Sequence, residues 1–246
     1  MVNKLLFYVM RNYSIVFSFF FIGLTLAQAD LYAQQTQVVR DVGVRTGLEL
    51  DYEFKNSFSF SSLIDVRTFY NSTKIESNVV ESGLNYEISS HFDLSAQIRY
   101  VRNRKKDGFF YHDLRNDFDL KFNTKFGDGF KLKYRMRYQK RYANLMTFSR
   151  YKYDKSDNVV DFRNKVQLEY KFNKKNKVYL GFELFREYEL YRRPHFNKYR
   201  ITVGDKVKLN SNVLEVGLMY DREWSQTEPF HFFVLNLYYE FSFKKK

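Results

Sequence analysis

The side chains best suited to proton transfer near neutral pH are four histidines, His91, His112, His195 and His231. A barrel hydrolase acting on lipid or peptide needs such a ring beside a serine or carboxylate at a rim. His91 falls in a tight turn, His112 in phase with Leu114, His195 in a longer connection, and His231 in phase with Phe233 and Leu235. His112 and His195 have carboxylates close by, Asp113 and Glu189, yet no serine shares a recognisable motif with either. We therefore assign no catalytic residue and expect no enzyme.

Cations are the second candidate chemistry. Lys131, Lys133, Arg135 and Arg137 alternate with Leu132, Tyr134, Met136 and Tyr138, so one strand face carries a row of positive charge. Along a narrow passage that row would favour anions. Carboxylates interleave with cations elsewhere, which points to ion pairing. Plain registry about Asp128 puts Asp119 across from Arg137, and registry about Asn173 to Asn176 puts Arg163 across from Glu187. Opposite charges across strands contribute roughly 0.2 to 1 kcal/mol each, and such pairs would plug a small lumen.

Metal and cofactor chemistry lack a motif. There is no His-Glu-x-x-His, no cysteine, no glycine-rich phosphate loop and no EF-hand spacing. Asp154 and Asp157 sit in a charged stretch that reads as a solvated loop, and Gly127-Asp128-Gly129 reads as a hairpin turn. No cofactor and no metal are expected.

The elements that would position these residues follow from alternation. From Val42 to Phe54 apolar or β-branched residues take every second place, and small or charged residues fill the others. The pattern recurs over 57 to 70, 77 to 88, 92 to 102, 109 to 126, 130 to 139, 160 to 172, 177 to 190, 198 to 208, 213 to 222 and 230 to 243. Five tight turns rich in Gly, Asn, Asp or Ser lie at 53–58, 87–92, 126–130, 172–177 and 208–213. They alternate with longer connections near 71–76, 103–108, 139–159, 191–197 and 223–230. Short and long connections in alternation fit an antiparallel up-and-down transmembrane β-barrel of about ten to twelve strands.

Burying a charge at mid-membrane costs about 2 to 4 kcal/mol, so in such a barrel the ionic stripes face inward. A secreted soluble barrel or sandwich is the rival, with the oily face inside. Aromatics at 20% of residues, clustered near strand ends, favour the membrane. Trp224, Tyr191 and Tyr199 suit headgroup level. The final aromatics Tyr238, Tyr239, Phe241 and Phe243 resemble the terminal strand that barrel assembly machinery reads, although Lys244 to Lys246 follow them.

Residues 1–33 read as a signal peptide: Lys4 and Arg11, an uncharged run from Ser14 to Ala27, then small residues that allow cleavage after Ala29 or Ala33. An uncleaved anchor helix is the alternative. Residues 34–246 form one barrel domain. The net charge of +13 is dispersed through strands, which argues against nucleic acid and suits outer-membrane lipids and lipopolysaccharide, or an anion-favouring lumen. One count is awkward. Eleven strands are found where bacterial barrels have an even number. Either the segment before Val42 adds a strand or threads the lumen, or one pairing is wrong.

Three segments resemble the domain of unknown function 2490 family: Gly47 to Phe54 with its turn, Tyr134 to Gln139, and Asn197 to Ile201. That resemblance spans nearly all of the mature chain and implies an outer-membrane barrel of Gram-negative type. It carries no activity and no functional residue. The expected role is structural or a narrow, porin-like, charge-lined channel, with a lipid- or peptide-hydrolysing barrel enzyme as the alternative.

Overall fold

A computed structural model describes residues 39–54, 57–104, 109–142, 158–188, 195–224 and 230–244. The expected signal peptide, the segment before Val39, Glu189, Tyr191, Asp154 and Asp157 lie outside these residues. Within them the alternating segments form eleven strands: β1 Val39–Glu53, β2 Phe58–Phe69, β3 Lys74–Glu87, β4 Phe92–Arg104, β5 Phe110–Phe126, β6 Phe130–Tyr142, β7 Asn158–Lys171, β8 Asn176–Tyr188, β9 His195–Leu209, β10 Asn212–Glu223 and β11 Phe230–Lys244. Each strand pairs with its sequence neighbours, and β1 and β11 close the ring.

The five tight turns reverse the chain at one rim. Ser57 and Asn210 adopt the left-handed conformation (φ 67° and 59°), as do Gly127 and Gly129 (φ 55° and 89°). At the opposite rim the connection expected near 71–76 is shorter than its charge suggested. β3 begins at Lys74, so only residues 70–73 make the turn. Tyr70, Asn71 and Ser72 are all left-handed (φ 52°, 52° and 63°), a run that L-residues resist. The buried Asp41 carboxylate of β1 holds them, accepting the backbone N–H of Tyr70 at 2.8 Å and of Asn71 at 2.7 Å. The stretch expected as a loop from Gln139 to Val159 is likewise trimmed, since Gln139 to Tyr142 continue β6 and Asn158 and Val159 open β7.

All ten hairpin pairings are antiparallel, and the closing one is not. β1 runs parallel to β11, from Val39 beside Phe230 to Glu53 beside Lys244. This corrects the purely antiparallel expectation and accounts for the odd count. With eleven strands the first and last point the same way, so the ring closes through a parallel seam. At the seam β1 carries Gly43, where a Cβ would sit 2.6 Å from the Phe232 ring, and Gly47, where it would meet the Tyr238 ring at 2.9 Å. The missing side chains let two β11 aromatics lie across the inner surface of β1.

Alternation decides which face looks where. Val42, Leu48, Ile64, Val80, Ile98, Leu180 and Leu218 point outward, with Ile64 58% and Ile98 60% exposed. Asp65, Asp117, Asp119, Arg137, Arg163, Glu183 and Asp221 point inward and are buried. The barrel is therefore inverted relative to the soluble rival, whose oily face would fill the centre. Aromatic pairs gather at both rims: Tyr52 with Phe54, Phe58 with Tyr86 and Phe126 with Phe130 at the tight-turn rim, and Phe162 with Tyr188 and Tyr199 with Trp224 at the long-loop rim.

Candidate functional site: the ionic lumen

The inward residues of β3 to β6 build the first cluster. Arg137 grips Asp119 with both ends of its guanidinium, Nε to Oδ1 at 2.6 Å and Nη2 to Oδ2 at 2.7 Å. The same group donates to Asp117 Oδ2 at 2.7 Å and to Gln97 Oε1 at 2.8 Å. Gln139 donates to the other Asp117 oxygen at 2.7 Å, and Arg99 bridges Glu81 and Asp117. Arg137 is 3% and Asp117 0% exposed, so these groups occupy the lumen itself rather than its wall. A planar fork held bidentately is among the strongest polar contacts available.

A second cluster spans β6 to β10. Glu183, 2% exposed, takes Arg135 at 2.8 Å and Arg163 at 2.9 Å, with Arg200 at 3.9 Å. Arg200 grips Asp221 bidentately at 2.6 and 2.7 Å. Beside these carboxylates the inward Phe185 ring lies under three cations, Arg163 at 4.5 Å, Lys198 at 4.6 Å and Arg200 at 5.2 Å. Arginines that would otherwise repel one another are separated by one acid and one ring. Toward the tight-turn rim Lys133 meets Glu169 at 2.6 Å, Lys206 meets Glu215 at 2.6 Å, and Tyr179 donates to Glu215 at 2.7 Å. Near the seam Arg67 grips Asp65, and the inward Met219, Phe232 and Val234 form a small apolar core.

The expected sites can now be placed. Asp119 lies directly across from Arg137, and the two are paired. Arg163 lies across from Phe185, not Glu187, and its acid is Glu183. The hairpin is centred one residue earlier than expected: Asn173 Oδ1 accepts the N–H of Lys175 and of Asn176, both at 2.8 Å, so Lys171 pairs with Lys177. Moving a turn by one residue moves every partner by two. Glu187 instead accepts from Asn197 at 2.8 Å.

Of the cation row, Arg137, Arg135 and Lys133 each hold a carboxylate, while Lys131 faces Lys125 on one side and Glu169 on the other. The row is thus interrupted by acids. Sequence reasoning missed Glu183, Asp117 and Phe185. The last had a signal, because an aromatic on the ionic phase of a strand breaks the alternation that surrounds it.

His112 separates from its neighbouring carboxylate, while the Glu189 expected near His195 lies outside the described residues. His112 points outward and shares a 2.5 Å hydrogen bond with Tyr100 Oη, whereas Asp113 points inward to Asn103 at 2.7 Å. Neighbours on a strand face opposite ways, so the two do not form an acid–base pair. His231 shares a 2.7 Å bond with Tyr220 in the same manner. An apolar groove of about 490 Å³ lies on the outer surface, floored by Ala96 and flanked by Leu94, Phe118, Met136 and Tyr138.

A family model described as "Protein of unknown function (DUF2490)" matches residues 43–230. None of the curated proteins matches the chain. A solved chain described as "Bacterial polysaccharide outer membrane secretin" aligns over 74% of this chain and 73% of its own, at 6% identity and a TM-score of 0.46.

Proposed function

The chain belongs to the DUF2490 family of proteins of unknown function, and from that premise we propose that it is a bacterial outer-membrane barrel whose lumen is closed by its own ion pairs. The observation that carries this reading is the inversion: aliphatic side chains on the outside, Asp117, Arg137 and Glu183 sealed within. Only hydrocarbon around the ring makes that arrangement favourable, because water on the outer face would leave Leu48, Ile64 and Ile98 exposed at a cost of about 25 cal/mol per Å². Aromatic belts at both rims match the two interfaces of a bilayer. Strands of 12 to 17 residues are long enough to cross it and project beyond.

A closed centre makes the barrel a membrane-held scaffold whose working surface is its long-loop rim. On this reading it is not a porin, and no hydrolytic role is proposed for it. Three tests bear on this. Membrane fractionation with heat-modifiable gel mobility places the chain, and recovery as a detergent-free soluble monomer would overturn the membrane reading. Planar bilayers loaded with purified protein stay silent, and discrete anion-selective steps weakened by replacing Arg135 and Arg137 with Gln would restore the channel alternative. Purified protein releases no fatty acid from phospholipid or lipid A, and turnover abolished by His112→Ala or His195→Ala would restore the enzyme.

A further inference from the structure

The outward face is not the same at its two rims. At the tight-turn rim the outward positions of the described strand ends are Tyr52, Phe58, Tyr86, Phe92, Phe126 and Phe130 and their like, while the exposed lysines of that rim sit in the β7–β8 turn (Lys174, Lys175) or on the inward phase of strand ends (Lys125, Lys171, Lys177, Lys208). At the long-loop rim the corresponding positions hold Arg40, Arg102, Arg104, Lys140, Arg186 and Arg222, and the carboxylates nearest them on the described strand ends are Glu76, at the β3 bulge, and Glu223, beside Arg222 on the opposite phase. We infer that this rim is a binding belt for phosphate groups of an anionic membrane glycolipid of the lipid A type, an inference that rests on the membrane reading above.

The belt has two stations built alike on opposite sides of the ring. On β4 and β5, Arg102 lies directly across from His112, which bonds Tyr100. On β10 and β11, Arg222 lies directly across from His231, which bonds Tyr220. The Tyr-x-Arg sequence and the facing His recur with identical register. Around them the cations rest on rings: Arg102 over Phe110 at 4.0 Å, Lys140 over Tyr142 at 4.9 Å, and Arg186 over Phe196 at 5.7 Å. A guanidinium held over a ring face keeps its in-plane N–H groups able to receive a phosphate. A tyrosine hydroxyl and an imidazole beside it add further hydrogen-bonding groups at headgroup depth.

The first station has a seat for an acyl chain as well. The outer groove over Ala96 ends at Tyr138 and Phe162, and Tyr138 is the outward position next to Lys140. A phosphate at Lys140 would therefore lie above a dry furrow that accepts its tail. Charge, depth and groove together select a phosphorylated lipid over a soluble anion or a protein. Because the outward strand positions carry arginine and lysine at the long-loop rim and aromatics at the other, that rim meets the leaflet rich in phosphorylated glycolipid.

The single tryptophan, Trp224, reports on the second station. Its ring lies 6.4 Å from Phe196, on which Arg186 rests, and 5.4 Å from Tyr199. The full chain is inserted into phosphatidylcholine vesicles containing bisphosphorylated lipid A, phosphate-free lipid A or phosphatidylglycerol, each with a headgroup quencher. Trp224 is quenched preferentially by bisphosphorylated lipid A, and apparent affinity falls about five-fold for each cation removed in Arg186→Gln and Arg222→Gln. For the first station, the triple variant R102Q, R104Q and K140Q retains less lipid A through detergent extraction, with heat-modifiable mobility unchanged. Equal quenching by phosphate-free lipid A, or by phosphatidylglycerol, overturns the belt while leaving the barrel in its membrane. Failure to insert into phosphatidylcholine alone overturns the membrane reading and the belt with it.

Discussion

Arg137 and Arg102 are the same residue type in opposite surroundings, and the contrast divides the charge of the molecule. Arg137 is sealed in the lumen against two carboxylates and an amide, whereas Arg102 stands on the outer rim against the Phe110 ring. Inside, acids answer bases: Asp119, Asp117, Glu183, Asp221 and Glu169 each hold a cation. Outside, Arg102, Arg104, Lys140 and Arg186 lie over aromatic rings. A net charge of +13 read from composition is therefore not a property of the passage through the ring. It belongs in good part to outward rim positions where cations outnumber acids.

The contrast breaks first if the lumen tolerates loss of a partner. Arg137→Met strands Asp117 and Asp119 and should cost about 3 to 5 kcal/mol, read as the urea midpoint of heat-modifiable mobility. Adding Asp119→Leu and Asp117→Leu should recover much of that loss, since a well-packed apolar replacement of a buried ion set is often neutral. A smaller loss is expected for Glu183→Gln. It leaves Arg135, Arg163 and Arg200 around a neutral amide, at roughly 1 to 3 kcal/mol, and a stability equal to the parent would mean that the Phe185 ring alone separates those cations. Tyr179→Phe removes one hydrogen bond to Glu215 and should cost about 1 kcal/mol by the same measure. Least affected is Arg222→Gln, within about 0.5 kcal/mol of the parent in neutral lipid. A loss as large as that of Arg137→Met would erase the distinction between the two faces.

Much of this architecture is legible from residues alone. Strict alternation located eleven strands, and Gly, Asn, Ser and Asp marked the five tight turns, because side-chain period and left-handed φ leave plain chemical traces. The Asp119–Arg137 pair followed from a symmetric turn at Gly127-Asp128-Gly129. Other pairings resisted for a physical reason. A two-residue slip keeps every side chain on its own face, so the oily and ionic stripes look the same whether Arg163 meets Glu187 or Phe185. Only the Asn173 side chain, by capping Lys175 and Asn176, chooses between them. The turn at residues 70–73 was hidden likewise, because its strain is relieved by Asp41, some thirty positions away. The seam could not be read from any local pattern. Parallel closure is a consequence of counting, because eleven antiparallel hairpin strands leave the first and last pointing the same way.

That closure gives the barrel a polarity that even-numbered rings lack. Val39 stands at one rim and Lys244 at the other, separated by the full height of the wall. No short linker can join them, so a circular permutant would need a crossing segment as long as a strand. An epitope placed just ahead of β1 and another just after β11 would report from different sides of whatever the ring divides.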